Sequence, residues 1–115
     1  MASIYPLNDF AMFVKLYDIN STTGAKTPLT SGSVTAFLAT TNTPTATSAD
    51  PSLSVSCVHV GSGKWLVFFD ASLLTASLMD SLFGSTPPFL IVQYPDGVRA
   101  YIELEYQASR PGTIS

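Results

Sequence analysis

The stretch that decides the fold is residues 53–70, LSVSCVHVGSGKWLVFFD. Two alternating runs flank a glycine turn. In the first, Leu53, Val55, Cys57 and His59 share one face, and Val58 and Val60 take the other. In the second, Trp65, Val67 and Phe69 face one way, and Leu66 and Phe68 the other. Successive side chains alternate across a strand, so a period of two predicts two strands. Gly61-Ser62-Gly63 supplies the backbone freedom of a tight turn, which makes the pair a β-hairpin. Its second strand is apolar on both faces, the pattern of a central strand.

Working outward, residues 10–18 alternate in the same way. Phe10, Met12, Val14 and Leu16 lie on one face, and Ala11, Phe13, Lys15 and Tyr17 on the other. The second face is itself partly apolar through Phe13 and Tyr17, so either this strand is covered on both sides or one side meets a partner. Residues 33–39 form another strand. Residues 89–94 and 98–106 form a closing hairpin around Pro95-Asp96-Gly97, in which Pro sets φ, Asp bonds the backbone and Gly takes positive φ. On the last strand Arg99, Tyr101, Glu103 and Glu105 read as a solvent face. Between residues 70 and 83 the period changes. Leu73, Leu74, Leu78, Met79, Leu82 and Phe83 recur at three and four residues, which predicts one amphipathic helix capped by Asp70 or Ser72 and ended by Gly84. Residues 20–31 read as a turn-rich stretch and 40–51 as a long polar loop.

The expected fold is all-β: an Ig-like or Greek-key β-sandwich of about six strands, with one short helix between strands four and five. A small open barrel is the runner-up. The expected organisation is an N-terminal arm (1–9), one sandwich domain (10–107) and a C-terminal tail (108–115).

Composition narrows the function classes. Charged residues make up only 11% of the 115 residues, while hydrophobic residues make up 46%. That balance argues for a packed core and a surface of hydroxyls, poorly defended against association. Five cations scattered along a chain of net charge −3 form no basic patch, so nucleic acid is not an expected partner. No apolar run is long enough to cross a membrane as a helix. A single cysteine forms no internal disulfide, and residues 1–10 lack the basic and apolar regions of a signal peptide. Folding in a reducing cytoplasm is the expectation.

No catalytic, cofactor or metal site is expected. His59 is the only histidine, and no G-x-S-x-G elbow accompanies it. Cys57 and His59, two apart on one strand face, stand about 6–7 Å apart, too far for direct proton exchange. They supply at most two of the roughly four ligands a structural zinc needs. Gly61-Ser62-Gly63-Lys64 lacks the first glycine, the hydroxyl residue and the helix of a phosphate loop. Glu103 and Glu105 share the exposed face rather than flanking a cleft, and Asp18 with Asn20 is too sparse for calcium.

Three segments carry a resemblance: Gly32-Ser-Val-Thr-Ala-Phe-Leu, Gly63-Lys-Trp-Leu-Val-Phe-Phe-Asp, and Phe89-Leu-Ile-Val-Gln-Tyr-Pro-Asp-Gly-Val-Arg-Ala-Tyr. Over about two thirds of the chain their cadence resembles small Ig-like β-sandwich accessory proteins of tailed-bacteriophage particles, such as capsid decoration or cement proteins. The resemblance implies a non-enzymatic virion protein, made in the host cytoplasm. It would form a homo-oligomer and bind other virion proteins, the capsid protein first. Neck, baseplate or fibre roles and a sugar- or receptor-binding module are the alternatives. Expected partner contacts are Ile4, Tyr5, Phe13, Tyr17 and Tyr101.

Overall fold

A computed structural model describes residues 2–20 and 22–107. Among them the chain is mostly β, with eleven strands, two 3-10 turns and one α-helix. In chain order the strands are β1 (Ser3–Ile4), β2 (Phe10–Lys15), β3 (Tyr17–Ile19), β4 (Lys26–Pro28), β5 (Thr35–Ala39), β6 (Ser54–Ser56), β7 (Val58–Gly61), β8 (Lys64–Phe69), β9 (Phe89–Gln93), β10 (Arg99–Glu103) and β11 (Glu105–Tyr106). The helix α1 (Ala76–Phe83) lies between β8 and β9. One sheet has the order β10-β9-β5-β6 and another β2-β8-β7; β3-β4 and the parallel pair β1-β11 are two-stranded.

The expected count of about six strands is therefore corrected, and the reason is local. Three of the expected strands each break at one buried residue: Leu16 between β2 and β3, Cys57 between β6 and β7, and Leu104 between β10 and β11. At each break the chain leaves one sheet and joins another, as when β6 pairs with β5 but β7 pairs with β8. The break residue keeps its inward side chain, and its N–H still extends the ladder that the chain is leaving. Leu16 donates to Gly63 O at 2.8 Å, Cys57 to Val34 O at 2.8 Å and Leu104 to Pro88 O at 2.9 Å. Alternation fixes the face a side chain takes, not the neighbour its backbone pairs with.

The core joins the two larger sheets. One buried cluster takes Phe10, Trp65, Val67 and Phe69 from the three-stranded sheet, Ala36, Leu38, Leu90 and Val92 from the four-stranded sheet, and Met79 and Phe83 from α1. Each large aliphatic or aromatic side chain buried there contributes about 1.5–3 kcal/mol. Trp65 donates its indole N–H to Leu29 O at 2.9 Å, which satisfies the one polar atom of that ring.

Two connections differ from expectation. Residues 70–83 do not form one helix. Asp70 accepts from Ser72 N at 2.9 Å and caps a 3-10 turn, Ala71–Leu73; Leu74 then leaves helical geometry to enter the core, and α1 starts afresh after Thr75. Residues 40–50 are folded down rather than free. Ala46 is buried with Phe37, Ala39 and Ile91 on the outer side of the four-stranded sheet. Arg99 clamps this flap: one guanidinium nitrogen donates to Pro44 O at 2.9 Å and to Ala46 O at 2.8 Å, and Nε donates to Gln93 Oε1 at 3.0 Å. The expected solvent face around Arg99 is thus partly covered.

The segment expected as an N-terminal arm supplies β1 and a core residue. Ile4 is 1% exposed, so the expectation that it contacts a partner is corrected. The parallel pairing of β1 with β11 draws it inward beside Leu104. The expected C-terminal tail, 108–115, lies outside the described residues.

Candidate functional site

Among the described residues, the three-stranded sheet buries one face and leaves the other bare. Its order β2-β8-β7 puts β8 at the centre, as the doubly apolar run requires. The inward set, Trp65, Val67 and Phe69, is in the core. The outward set meets solvent: Phe13 is 56% exposed, Val58 58%, Val60 50% and Phe68 41%, with Leu66 half-buried among them.

Register orders this face into rows. Phe13 lies opposite Leu66, and Leu66 opposite Val58, so one apolar row crosses all three strands. The next row pairs Ala11 with Phe68, and the row on the other side pairs Lys15 with Lys64. The Lys64 ammonium sits 4.5 Å from the centroid of the Phe13 ring, a cation–π contact at the edge of the patch. Just beyond the last pair, Phe10 with Phe69, Asp9 precedes β2 and Asp70 follows β8. Both carboxylates hold the turn that follows: Asp9 accepts from Ala71 N at 2.7 Å, and Asp70 from Ser72 N. Those hydrogen bonds hold the Asp70 carboxyl below its usual range, so it carries charge at any ordinary pH.

The turn joining β7 to β8 is rigidly made. Ser62 and Gly63 both take positive φ, 50° and 79°, and β7 bulges between His59 and Gly61. Gly63 N–H donates to His59 Nε2 at 3.3 Å, and the imidazole packs tilted against Trp65, with ring centroids 5.1 Å apart. His59 is therefore half-buried and occupied with the turn. Cys57 is buried, and burial pushes its thiol up to about 11, leaving it protonated at neutral pH.

A second feature is an open cleft of about 360 Å³ between the β3–β4 hairpin and the β9–β10 turn. Tyr17, Ile19, Tyr94 and Val98 supply its apolar wall, and Asp18 and Asp96 its carboxylates. Sequence spacing concealed this hairpin, because residues 20–31 read only as turns. Asn20 organises it, accepting from Thr22 N at 2.8 Å and Thr23 N at 3.0 Å, and Pro28 ends an edge strand, where a missing N–H is tolerated.

Of the expected contact residues, Phe13 lies on the bare sheet face and Tyr17 lines the cleft. Tyr101 is exposed on β10 and Tyr5 is half-buried, so the five are not brought together. Val58, Val60, Leu66 and Phe68 were not among the expected contacts. Their signal was present in the alternation, but apolar residues on both faces of β8 also fit a strand covered on both sides. No known family model matches the chain, and no curated protein matches it in sequence.

Proposed function

We propose that this chain is a non-enzymatic structural protein that works by contact, and that its setting is a bacteriophage particle, where it serves as a capsid decoration or cement protein. The observation that carries this reading is the bare apolar face of the three-stranded sheet. Two phenylalanines and two valines grouped on one exposed face cost solubility in a free monomer, and such patches mark interaction surfaces. The phage setting rests on the sequence cadence. An Ig-like arrangement of the two larger sheets accords with that cadence, and the shared core between them supports it. Mass spectrometry of gradient-purified particles from cells carrying the gene tests the proposal. Recovery in stoichiometric amount with the shell is expected; its confinement to the soluble fraction overturns the particle assignment.

The cleft beside the β3–β4 hairpin favours a second reading, a sugar-binding module. Tyrosine faces stack on sugar rings, and carboxylates accept from sugar hydroxyls; Tyr17, Tyr94, Asp18 and Asp96 place both beside one cavity. Titration with neutral oligosaccharides, followed by tyrosine fluorescence, separates the readings. A saturable change abolished by Tyr94→Ala supports the sugar, and a flat response removes it.

A further inference from the structure

We infer that the bare face of the three-stranded sheet pairs with the same face of a second copy of this chain, in a two-fold dimer with strands antiparallel across the interface. The inference rests on the reading of that face as a contact surface and names its occupant.

The arrangement of charge along β2 and β8 carries it. Read along β2 and β8, the outward residues run Ala11, Phe13, Lys15 on one and Phe68, Leu66, Lys64 on the other, with Asp9 and Asp70 just beyond the far strand ends. An acidic pair stands at one end, a basic pair at the other, and two apolar rows between. Like charges directly opposite each other on neighbouring strands are destabilising. This strand pair carries one such pair, Lys15 with Lys64, and carboxylates from outside would relieve it.

A copy turned about an axis in the plane of the face and perpendicular to the strands meets that need. It lays the lysine pair of one chain over the aspartate pair of the other, twice by symmetry. The same operation places Phe13 over Ala11 and Leu66 over Phe68, large against small in the first case. A two-fold along the strands would instead stack lysine on lysine. Charge therefore selects one orientation, and an isologous contact closes on itself rather than growing into a fibre.

Three strands about 4.8 Å apart and four rows about 6.8 Å apart make a face of roughly 10 by 20 Å between outermost positions. That is below a standard permanent interface, so the dimer dissociates on dilution.

Sedimentation equilibrium of the full chain over a concentration series tests the pairing. A monomer–dimer equilibrium is expected, weakened about tenfold or more by Lys15→Glu/Lys64→Glu and by Phe13→Asp, with unchanged circular dichroism and thermal midpoint. These side chains are exposed, so the variants fold, and either alone suffices for the test. A monomer at every concentration overturns the proposal, as does a dimer indifferent to both variants. The two readings fail separately. A monomer that still purifies with particles removes self-pairing alone, and a dimer absent from particles removes the particle assignment alone.

Discussion

Gly63 occupies a position that few other residues tolerate. Its φ is +79°, and a Cβ there would stand 2.8 Å from Pro28 Cβ and 2.9 Å from Leu16 O. The second of these is backbone and does not swing away. Gly63→Ala is expected to cost about 2 kcal/mol or more, read as a lower urea midpoint, because it adds backbone strain to a collision. Trp65 shows a different dependence. Trp65→Phe keeps a large ring but leaves Leu29 O buried without its donor at 2.9 Å. The expected loss is about 1–3 kcal/mol, and a variant as stable as the parent would show that water takes the vacated place.

Among the elements, the flap at residues 40–50 is held by the Arg99 side chain and by Ala49 N–H, which donates to Leu38 O at 2.8 Å. Arg99 holds it through Pro44 O and Ala46 O and lies over the Phe37 ring at 5.4 Å. Arg99→Ala is expected to release the flap, with faster proteolysis and amide exchange near Ala46 and a stability loss of about 1–3 kcal/mol. Unchanged protection at Ala46 would show that burial and the Ala49–Leu38 hydrogen bond hold it without Arg99. The same elements mark the limits of sequence. Side-chain faces were legible throughout: Phe13, Val58, Val60 and Phe68 fell outward, and Trp65, Val67 and Phe69 inward, as alternation requires. Sheet switching at Leu16, Cys57 and Leu104 was not, because those residues stay in phase and their N–H groups still extend the old ladder, so the switch leaves no mark on the side-chain pattern. The Arg99 clamp was illegible for a related reason. It joins positions more than fifty residues apart, 53 and 55 from its two carbonyl partners, through backbone oxygens that every residue possesses.

For the whole molecule, two protonated groups tie stability to alkaline pH. Burial pushes the Cys57 thiol from its ordinary 9.0 to about 11, and burial with the Asp80 carboxylate pushes the Tyr106 hydroxyl from 10.0 to about 12. Tyr106 donates to Asp80 Oδ1, which ties β11 to α1. Both groups are raised in the folded state, so their contribution is complete below the ordinary values and is lost as pH climbs through the shifted ones. The urea midpoint is expected to hold to about pH 8 and to fall above about pH 9, less steeply in a Cys57→Ala chain. A midpoint flat to about pH 11 would contradict both shifts.

The contact surface itself is tested most directly by placing a thiol on it. In a Cys57→Ala background, Val58→Cys puts one reactive group on the bare sheet face, in the apolar row opposite Leu66, and its rate of alkylation is compared in dilute free protein and in the particle-bound fraction. A contact face predicts rapid labelling when free and strong protection when bound; equal rates in the two states, or no particle-bound protein at all, would contradict it.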